Sequence, residues 1–221
     1  MSFIPSQVKM TVSTEDTPVS MTVEPKIIIA ETPNDPLFNN LLKHALTELT
    51  DGMLDNGITE LYDYAFYGNE HLATVNLTQI RTIGTDAFAG CGLTTAYLPN
   101  LTTAGMRAFS GTTLTSIVLP KLTTVSTYMF QNCTDLESVE LDAAASIQQR
   151  AFDGCTKLER LTLKSETVCV LGTGSQFFRG TKIESGEGYI YVPSDLYSAY
   201  KADSTWTNYR DSIREIEEMT F

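Results

Sequence analysis

The sequence is poor in the residues on which enzymes and metal sites depend. It has only two histidines, His44 and His71, and neither stands at a known ligand spacing. His44 and Glu48, one turn apart on a predicted helix, supply two ligands without a third, and an exposed His–Glu pair is the simpler interpretation. Catalysis needs a constellation of such groups, so we expect no enzymatic activity, no metal and no cofactor.

Basic residues are scarce as well. Lys and Arg total 15 against 27 Asp and Glu, which gives a formal net charge of −12. Nucleic acids and anionic membranes select clustered Lys and Arg, so neither is an expected partner. No apolar run is long enough to span a bilayer, and the first nine residues lack the basic and apolar regions of a signal peptide. We therefore expect no membrane insertion and no secretion signal.

What the sequence does contain is a repeat. Phenylalanine recurs at intervals of 22, 21, 21 and 22 residues, at Phe66, Phe88, Phe109, Phe130 and Phe152. Five or six residues after each Phe begins the pattern L-x-x-Φ-x-L, where Φ is apolar: Leu72, Leu93, Leu114, Leu136 and Leu158 open it. The Φ-x-L portion alternates like a strand, so each turn contributes one strand to a parallel sheet. One turn cannot bury its apolar face, but stacked turns share a core, in which we expect the Phe column to stack.

Four repeat segments carry a recognisable motif, "IGTDAFAGCGLTTAYLP", "AGMRAFSGTTLTSIVLP", "VSTYMFQNCTDLESVEL" and "IQQRAFDGCTKLERLTL". They resemble the BspA-type leucine-rich repeat, whose units carry A-F-x-x-C followed by L-x-x-Φ-x-L-P. The resemblance extends over residues 57–164 and implies an α/β repeat solenoid, a short leucine-rich-repeat stack with parallel strands. Asn69 and Thr112 depart from it in the Cys column. An insertion, Ser165 to Ser175, stretches the last unit.

The segment before the repeats predicts two further pieces of structure. In residues 1–34, Val8–Val12 and Val19–Val23 are near copies with alternating polarity, which predicts a β-hairpin. Because such a hairpin is marginally stable alone, it either packs on the cap or pairs with another chain through its open edge, in self-association or attachment to a larger assembly. Apolar residues at helical spacing then predict a cap helix from Asp35 to about Thr50, within a capping segment of residues 35–56.

The repeats are expected over residues 57–187 and a C-terminal strand-helix cap over 188–221. The stretch Gly188–Pro193 reads as a strand, and Ser194 is the expected N-cap of a helix from Asp195 to about Ala202. Four apolar residues should then cover the last turn: Trp206, Tyr209, Ile213 and Ile216.

The four cysteines are few for a disulfide scaffold. Cys133 and Cys155 occupy the same register on consecutive turns, close enough for a disulfide but with parallel side chains that seldom give the required dihedral angle. We expect buried free thiols that act as small hydrophobic groups.

The outward strand residues form the candidate binding surface. They are Thr74, Asn76, Thr95, Tyr97, Ser116, Val118, Ser138, Glu140, Arg160 and Thr162. This hydroxyl-rich strip suits a glycan or a polar protein face, and it is equally typical of a sheet surface without a ligand. The resemblance implies a non-enzymatic binding or structural module. We expect an accessory tail, fibre or capsid protein of a phage or prophage, in a virion or the cytoplasm. The alternatives are an intracellular interaction scaffold and a bacterial surface adhesin whose leader was removed.

Overall fold

The structure, a computed structural model, describes residues 46–54 and 57–218. The predicted hairpin in residues 1–34 and the cap helix as far as residue 45, which includes His44, lie outside the described residues. Within the described part, helix is confined to short segments. These are α1 (Lys182–Ser185), α2 (Ser194–Ala202) and the 3-10 helices Asp51–Met53, Ser204–Ser212 and Ile216–Glu218.

Two ribbons of parallel strands run along the solenoid. The first sheet holds the predicted L-x-x-Φ-x-L strands, with one further strand at the start and two at the end: β1 (Glu48–Thr50), β3 (Thr74–Asn76), β5 (Thr95–Tyr97), β7 (Ser116–Leu119), β9 (Ser138–Leu141), β11 (Arg160–Leu163), β13 (Tyr189–Val192) and β14 (Ile213–Glu215). Its strands pair in the orders β1-β3-β5 and β7-β9-β11-β13-β14, and β5 lies beside β7. The predicted parallel solenoid is therefore confirmed.

A second sheet lies earlier in each turn, and the sequence analysis did not predict it. Its strands have two residues each: β2 (Glu60–Leu61), β4 (Thr82–Ile83), β6 (Thr103–Ala104), β8 (Thr124–Val125), β10 (Ser146–Ile147) and β12 (Val170–Leu171). The inward residues, such as Leu61, Ile83 and Val125, are buried in the common core. Two residues are too few to show an alternating pattern, so these strands have no recognisable signal in the sequence.

The Phe column is the centre of the core. Rings of successive turns stack with centroids 5.3–5.6 Å apart and interplanar angles of 2–12°, from Phe66 to Phe152 and on to Phe178. These separations fall within the range that aromatic pairs prefer. The expected internal stack is confirmed, and Phe178 extends it by a sixth ring.

Each Phe lies between two residues with left-handed backbone. The residue two positions before it has φ of 54–63° and is never glycine: Tyr64, Asp86, Arg107, Tyr128, Arg150 and Gln176. The residue two positions after it is glycine in every turn except one, where Asn132 takes its place. Glycine and asparagine adopt this conformation at low cost, so the second bend is encoded locally. The first bend must be stabilised by contacts between turns.

Three of the cysteines satisfy a buried carbonyl oxygen. The thiols of Cys91, Cys133 and Cys155 donate to the carbonyl oxygens of the Phe one turn earlier, over 3.0, 3.0 and 2.9 Å. Thr112 occupies the same column, and its hydroxyl donates to the carbonyl oxygen of Phe109 instead. The column therefore selects a small donor, and this requirement accounts for the departure from Cys.

At the N-terminal end, the structure corrects the predicted helix. Residues 48–50 form strand β1, which pairs in parallel with β3, so the helix cannot extend to Thr50. Leu46 and Leu49 are both buried in the core, at the positions of Leu72 and Val75 one turn later. The spacing of three fits a helix face as well as the L-x-x-Φ frame, and pairing with a neighbouring strand decides in favour of the latter.

The predicted insertion also contributes to the stack. Val170 and Leu171 form β12, which pairs with β10, and Cys169 is buried beside it. The C-terminal cap closes this edge with side chains. The indole nitrogen of Trp206 donates to the carbonyl oxygen of Cys169 over 2.6 Å, and the amide of Cys169 donates to the hydroxyl of Tyr200 over 2.8 Å.

The C-terminal cap follows the prediction with two corrections. Helix α2 begins at Ser194 itself, after Pro193, so Ser194 is not the N-cap. Its hydroxyl bonds to the carboxylate of Glu217 instead. Trp206 and Tyr209 cover the ring of Phe178 as expected, whereas Ile213 begins β14 and adds a strand to the first sheet.

The fold predicts the cost of removing a middle ring. Substitution of Phe109 by Ala should lower the free energy of unfolding by about 3–5 kcal/mol, because it deletes a fully buried ring between two others. The exposed Val118, changed to Ala, is the control and should cost under about 0.5 kcal/mol. Urea unfolding measures both. Equal midpoints for the two variants would contradict the register.

The cysteines yield a second prediction. All four are buried and free, and burial raises the pKa of Cys91 and of Cys169 to about 12. Since burial denies the reagent access to all four thiols, the folded protein should resist iodoacetamide near neutral pH and gain four labels only when unfolded without reductant. Intact mass measures the labels. A species in which Cys133 is joined to Cys155 would contradict this packing.

Candidate binding surface

The outward side chains of the first sheet form two rows across the strands. Thr74, Thr95, Ser116, Ser138 and Arg160 lie in the row nearer the strand starts, and Asn76, Tyr97, Val118, Glu140 and Thr162 lie in the next. Both rows follow from the two-residue period, because the intervening Φ residues point into the core. The structure therefore brings the ten predicted residues onto one face, but their exposure differs.

The most exposed apolar groups of this face are in its centre. Tyr97 on β5 is 57% exposed, and Val118 on the neighbouring β7 is 51% exposed. Within the part of the chain that the structure describes, the ring of Tyr97 contacts no other aromatic ring. Large apolar side chains that are exposed side by side are typical of contact sites. An aromatic residue next to an aliphatic one is also the composition found in the core of an interface.

Polar groups that surround Tyr97 have unused hydrogen-bonding capacity. The side chains of Thr74, Asn76, Thr95 and Ser116 make no hydrogen bond among residues 46–54 and 57–218. By contrast, the hydroxyl of Thr94, which directly precedes β5, donates to the carbonyl oxygen of Ala73 over 3.1 Å. The hydroxyls of the outward row are therefore available to a ligand.

The C-terminal half of the same face is closed by internal contacts. Thr162 is only 2% exposed. Contrary to the expectation from the sequence, it does not contribute to the exposed strip. It lies in register between Glu140, whose carboxylate binds Lys164, and Tyr191 of the cap. Beside it the guanidinium of Arg214 stacks on the ring of Tyr189 at 4.4 Å. The sequence does not show that cap residues complete this face, because their spacing differs from that of the repeat.

The opposite, loop side of the turns carries paired charges. The guanidinium of Arg107 binds Asp86 through two contacts of 2.7 and 2.8 Å, and that of Arg179 binds Asp153 through 2.6 and 2.8 Å. The hydrogen bond with Asp86 raises the pKa of Arg107. Each pair joins consecutive turns, so these residues hold the stack together. They leave no periodic signal in the sequence, because the two pairs occupy different positions of the repeat and neither pair recurs along the chain.

The loop side also exposes aromatic residues in the first unit. Tyr62 is 49% exposed, and Tyr64 lies edge-on to Tyr67 at 6.0 Å. These residues lie outside the outward rows of the first sheet. Tyr62 therefore serves as a control for Tyr97, because it is a similarly exposed tyrosine in another part of the surface.

Metal-ligand clusters and membrane-spanning helices are both absent from the described residues. Residues 46–54 and 57–218 contain no cluster of three or more His, Cys, Asp or Glu side chains suited to a metal ion. No helix in the same ranges has the length and apolar composition that crossing a membrane requires.

Three solved structures resemble this chain in fold. A leucine-rich repeat protein from Eubacterium ventriosum ATCC 27560 is 19% identical, with a TM-score of 0.52 over 61% of this chain and 36% of the other. One from Bacteroides ovatus ATCC 8483 is 18% identical, with a TM-score of 0.39 over 66% and 55%. The T. pallidum leucine-rich repeat protein is 22% identical, with a TM-score of 0.41 over 70% and 81%. The first supports the fold alone, and this chain spans about a third of its length.

The family of this chain is shown by its sequence. No curated protein matches the chain. The model of the BspA type leucine-rich repeat region matches it in six copies, over residues 39–111 and 81–202. These matches cover most of the sequence, include the strand β1 that precedes residue 57, and agree with the sixth ring, Phe178. The chain therefore belongs to the BspA-type leucine-rich-repeat family.

Proposed function

We propose that this protein is a non-enzymatic binding module that contacts its partner through the N-terminal half of the outward face of the first sheet. The observation that carries this proposal is the exposure of Tyr97 beside Val118 on adjacent strands. Membership of the leucine-rich-repeat family supports a role in interaction, since repeat stacks present extended surfaces.

The electrostatics of the face support the same half. Glu140 is paired with Lys164, and Thr162 is buried, so the C-terminal half offers few free groups. In β3, β5 and β7 the outward residues are uncharged, and their hydroxyls and amide are unused. A partner therefore gains apolar contact and hydrogen bonds there without the cost of desolvating a charge. We define the binding patch as Thr74, Asn76, Thr95, Tyr97, Ser116 and Val118.

For the biological setting, we propose an accessory tail, fibre or capsid protein of a phage or prophage. In this setting residues 1–34 attach the module, and the repeats present the binding patch. The two near copies Val8–Val12 and Val19–Val23 support attachment by strand addition, because short alternating segments can pair with a neighbouring chain. A bacterial surface adhesin and an intracellular interaction scaffold are the alternative settings.

Retention on cells tests the binding patch. The fluorescently labelled protein is incubated with intact bacteria of the strain that carries the gene, and retention is measured by flow cytometry. Replacing both Tyr97 and Val118 by Ser should weaken retention about tenfold or more, because exposed aromatic anchors contribute most of an interface's energy.

The matched control replaces Tyr62 and Val170, which are similarly exposed but lie outside the first sheet. This variant should be retained like the original protein. Urea unfolding checks that both double variants keep their stability. Equal retention of the two double variants would refute the assignment of the binding patch.

Truncation tests whether residues 1–34 attach the module while the repeats bind the partner. A chain that begins at Asn34 should unfold at the same urea concentration as the full chain but lose self-association or incorporation into the parent assembly. Light scattering and copurification with the assembly measure the two effects. If the truncated chain assembles as well as the full one, the repeats themselves make the structural contact.

A further inference from the structure

We infer that the ligand of the binding patch is a neutral linear polysaccharide that lies across β3, β5 and β7, with a sugar ring on the face of Tyr97. The inference rests on the proposed function and names the chemistry of its ligand. The juxtaposition that carries it is an exposed aromatic ring among unbonded hydroxyl and amide groups, with no charged side chain in the outward rows of these three strands.

The aromatic ring supplies one half of sugar recognition. A pyranose ring has an apolar face of C–H groups and an equatorial rim of hydroxyls. An exposed tyrosine ring offers matching apolar area together with a polar tip. Tyr97 has this geometry, because its backbone is fixed in β5 and its ring contacts no other aromatic ring within the described ranges.

The rows of polar groups supply the other half. Thr74 pairs in register with Thr95, and Asn76 pairs with Tyr97, so donors and acceptors repeat from strand to strand at about 4.8 Å. Ser116 continues the row on β7. A polymer of identical units presents its hydroxyls at a regular interval of similar length, whereas a folded protein surface does not. Each polar group of the row can therefore meet an equivalent group of the ligand.

Charge favours a neutral polymer over an acidic one. The chain carries a formal net charge of −12, which repels anionic glycans. Arg160 of the outward row lies on β11, two strands beyond the patch, while Lys164 binds Glu140 and Arg214 stacks on Tyr189. An anionic sugar would find no free cation in the patch. An uncharged sugar needs none.

Affinity gel electrophoresis tests the inference, because a neutral polymer in the gel slows a bound protein without changing its charge. The probes are hydroxyethyl cellulose, laminarin, mannan and dextran, each in a separate native gel. At least one should retard the full chain. Tyr97→Ser should abolish that retardation, and the double variant Thr95→Val with Ser116→Ala should weaken it about tenfold, since it removes two hydrogen-bonding groups. The control Tyr62→Ser should migrate like the original chain.

Two results would overturn the inference. One is the absence of retardation by all four probes, and the other is undiminished retardation of Tyr97→Ser. The retention experiment on cells separates this failure from that of the proposed function. If retention depends on Tyr97 and Val118 but no polysaccharide retards the chain, the patch binds a protein and the glycan is excluded. If retention does not depend on these residues, the binding patch itself is refuted.

Discussion

The pairing of parallel strands sets the rise of each turn, and every other contact in the solenoid has to match that rise. Paired strands lie about 4.8 Å apart. The rings of the Phe column repeat at 5.3–5.6 Å, a separation at which nearly parallel aromatic rings still attract one another. Thiols that bond the Phe carbonyl oxygen of the preceding turn, and Arg–Asp pairs between turns, keep to the same rise. A residue can therefore be exchanged only for one that reaches the same neighbour.

This constraint explains which features were readable from the sequence. Contacts that repeat with the period, such as the Phe column and the L-x-x-Φ-x-L strands, appear as coincident registers and were predicted correctly. Contacts made only once leave no periodic signal. The bond from Trp206 to Cys169 belongs to this class. For Leu46 and Leu49 the spacing was ambiguous, and a neighbouring strand decided it.

On the binding face, the sequence predicts the side of the sheet on which a residue lies but not how exposed that residue is. Alternation along the strands correctly placed all ten residues on the outward side. It could not show that Thr162 is buried or that Tyr97 and Val118 are both more than half exposed, because exposure depends on neighbours from other turns and from the cap. The face of the solenoid is thus uniform in the sequence but divided in the structure, with an open half and a half closed by the cap.

The way in which the cap ends the second sheet bears on how such a chain can change length. Beyond β12 the backbone groups of Cys169 and Leu171 bond to the side chains of Tyr200, Trp206 and Thr205 rather than to another strand. Those side chains fit this one edge, so a unit appended after the cap would find no open backbone of the second sheet to pair with. A new unit is accommodated only between existing ones, where both of its faces meet a turn like itself. The second sheet can therefore be lengthened by duplication of an internal turn, whereas its last edge is matched to the cap.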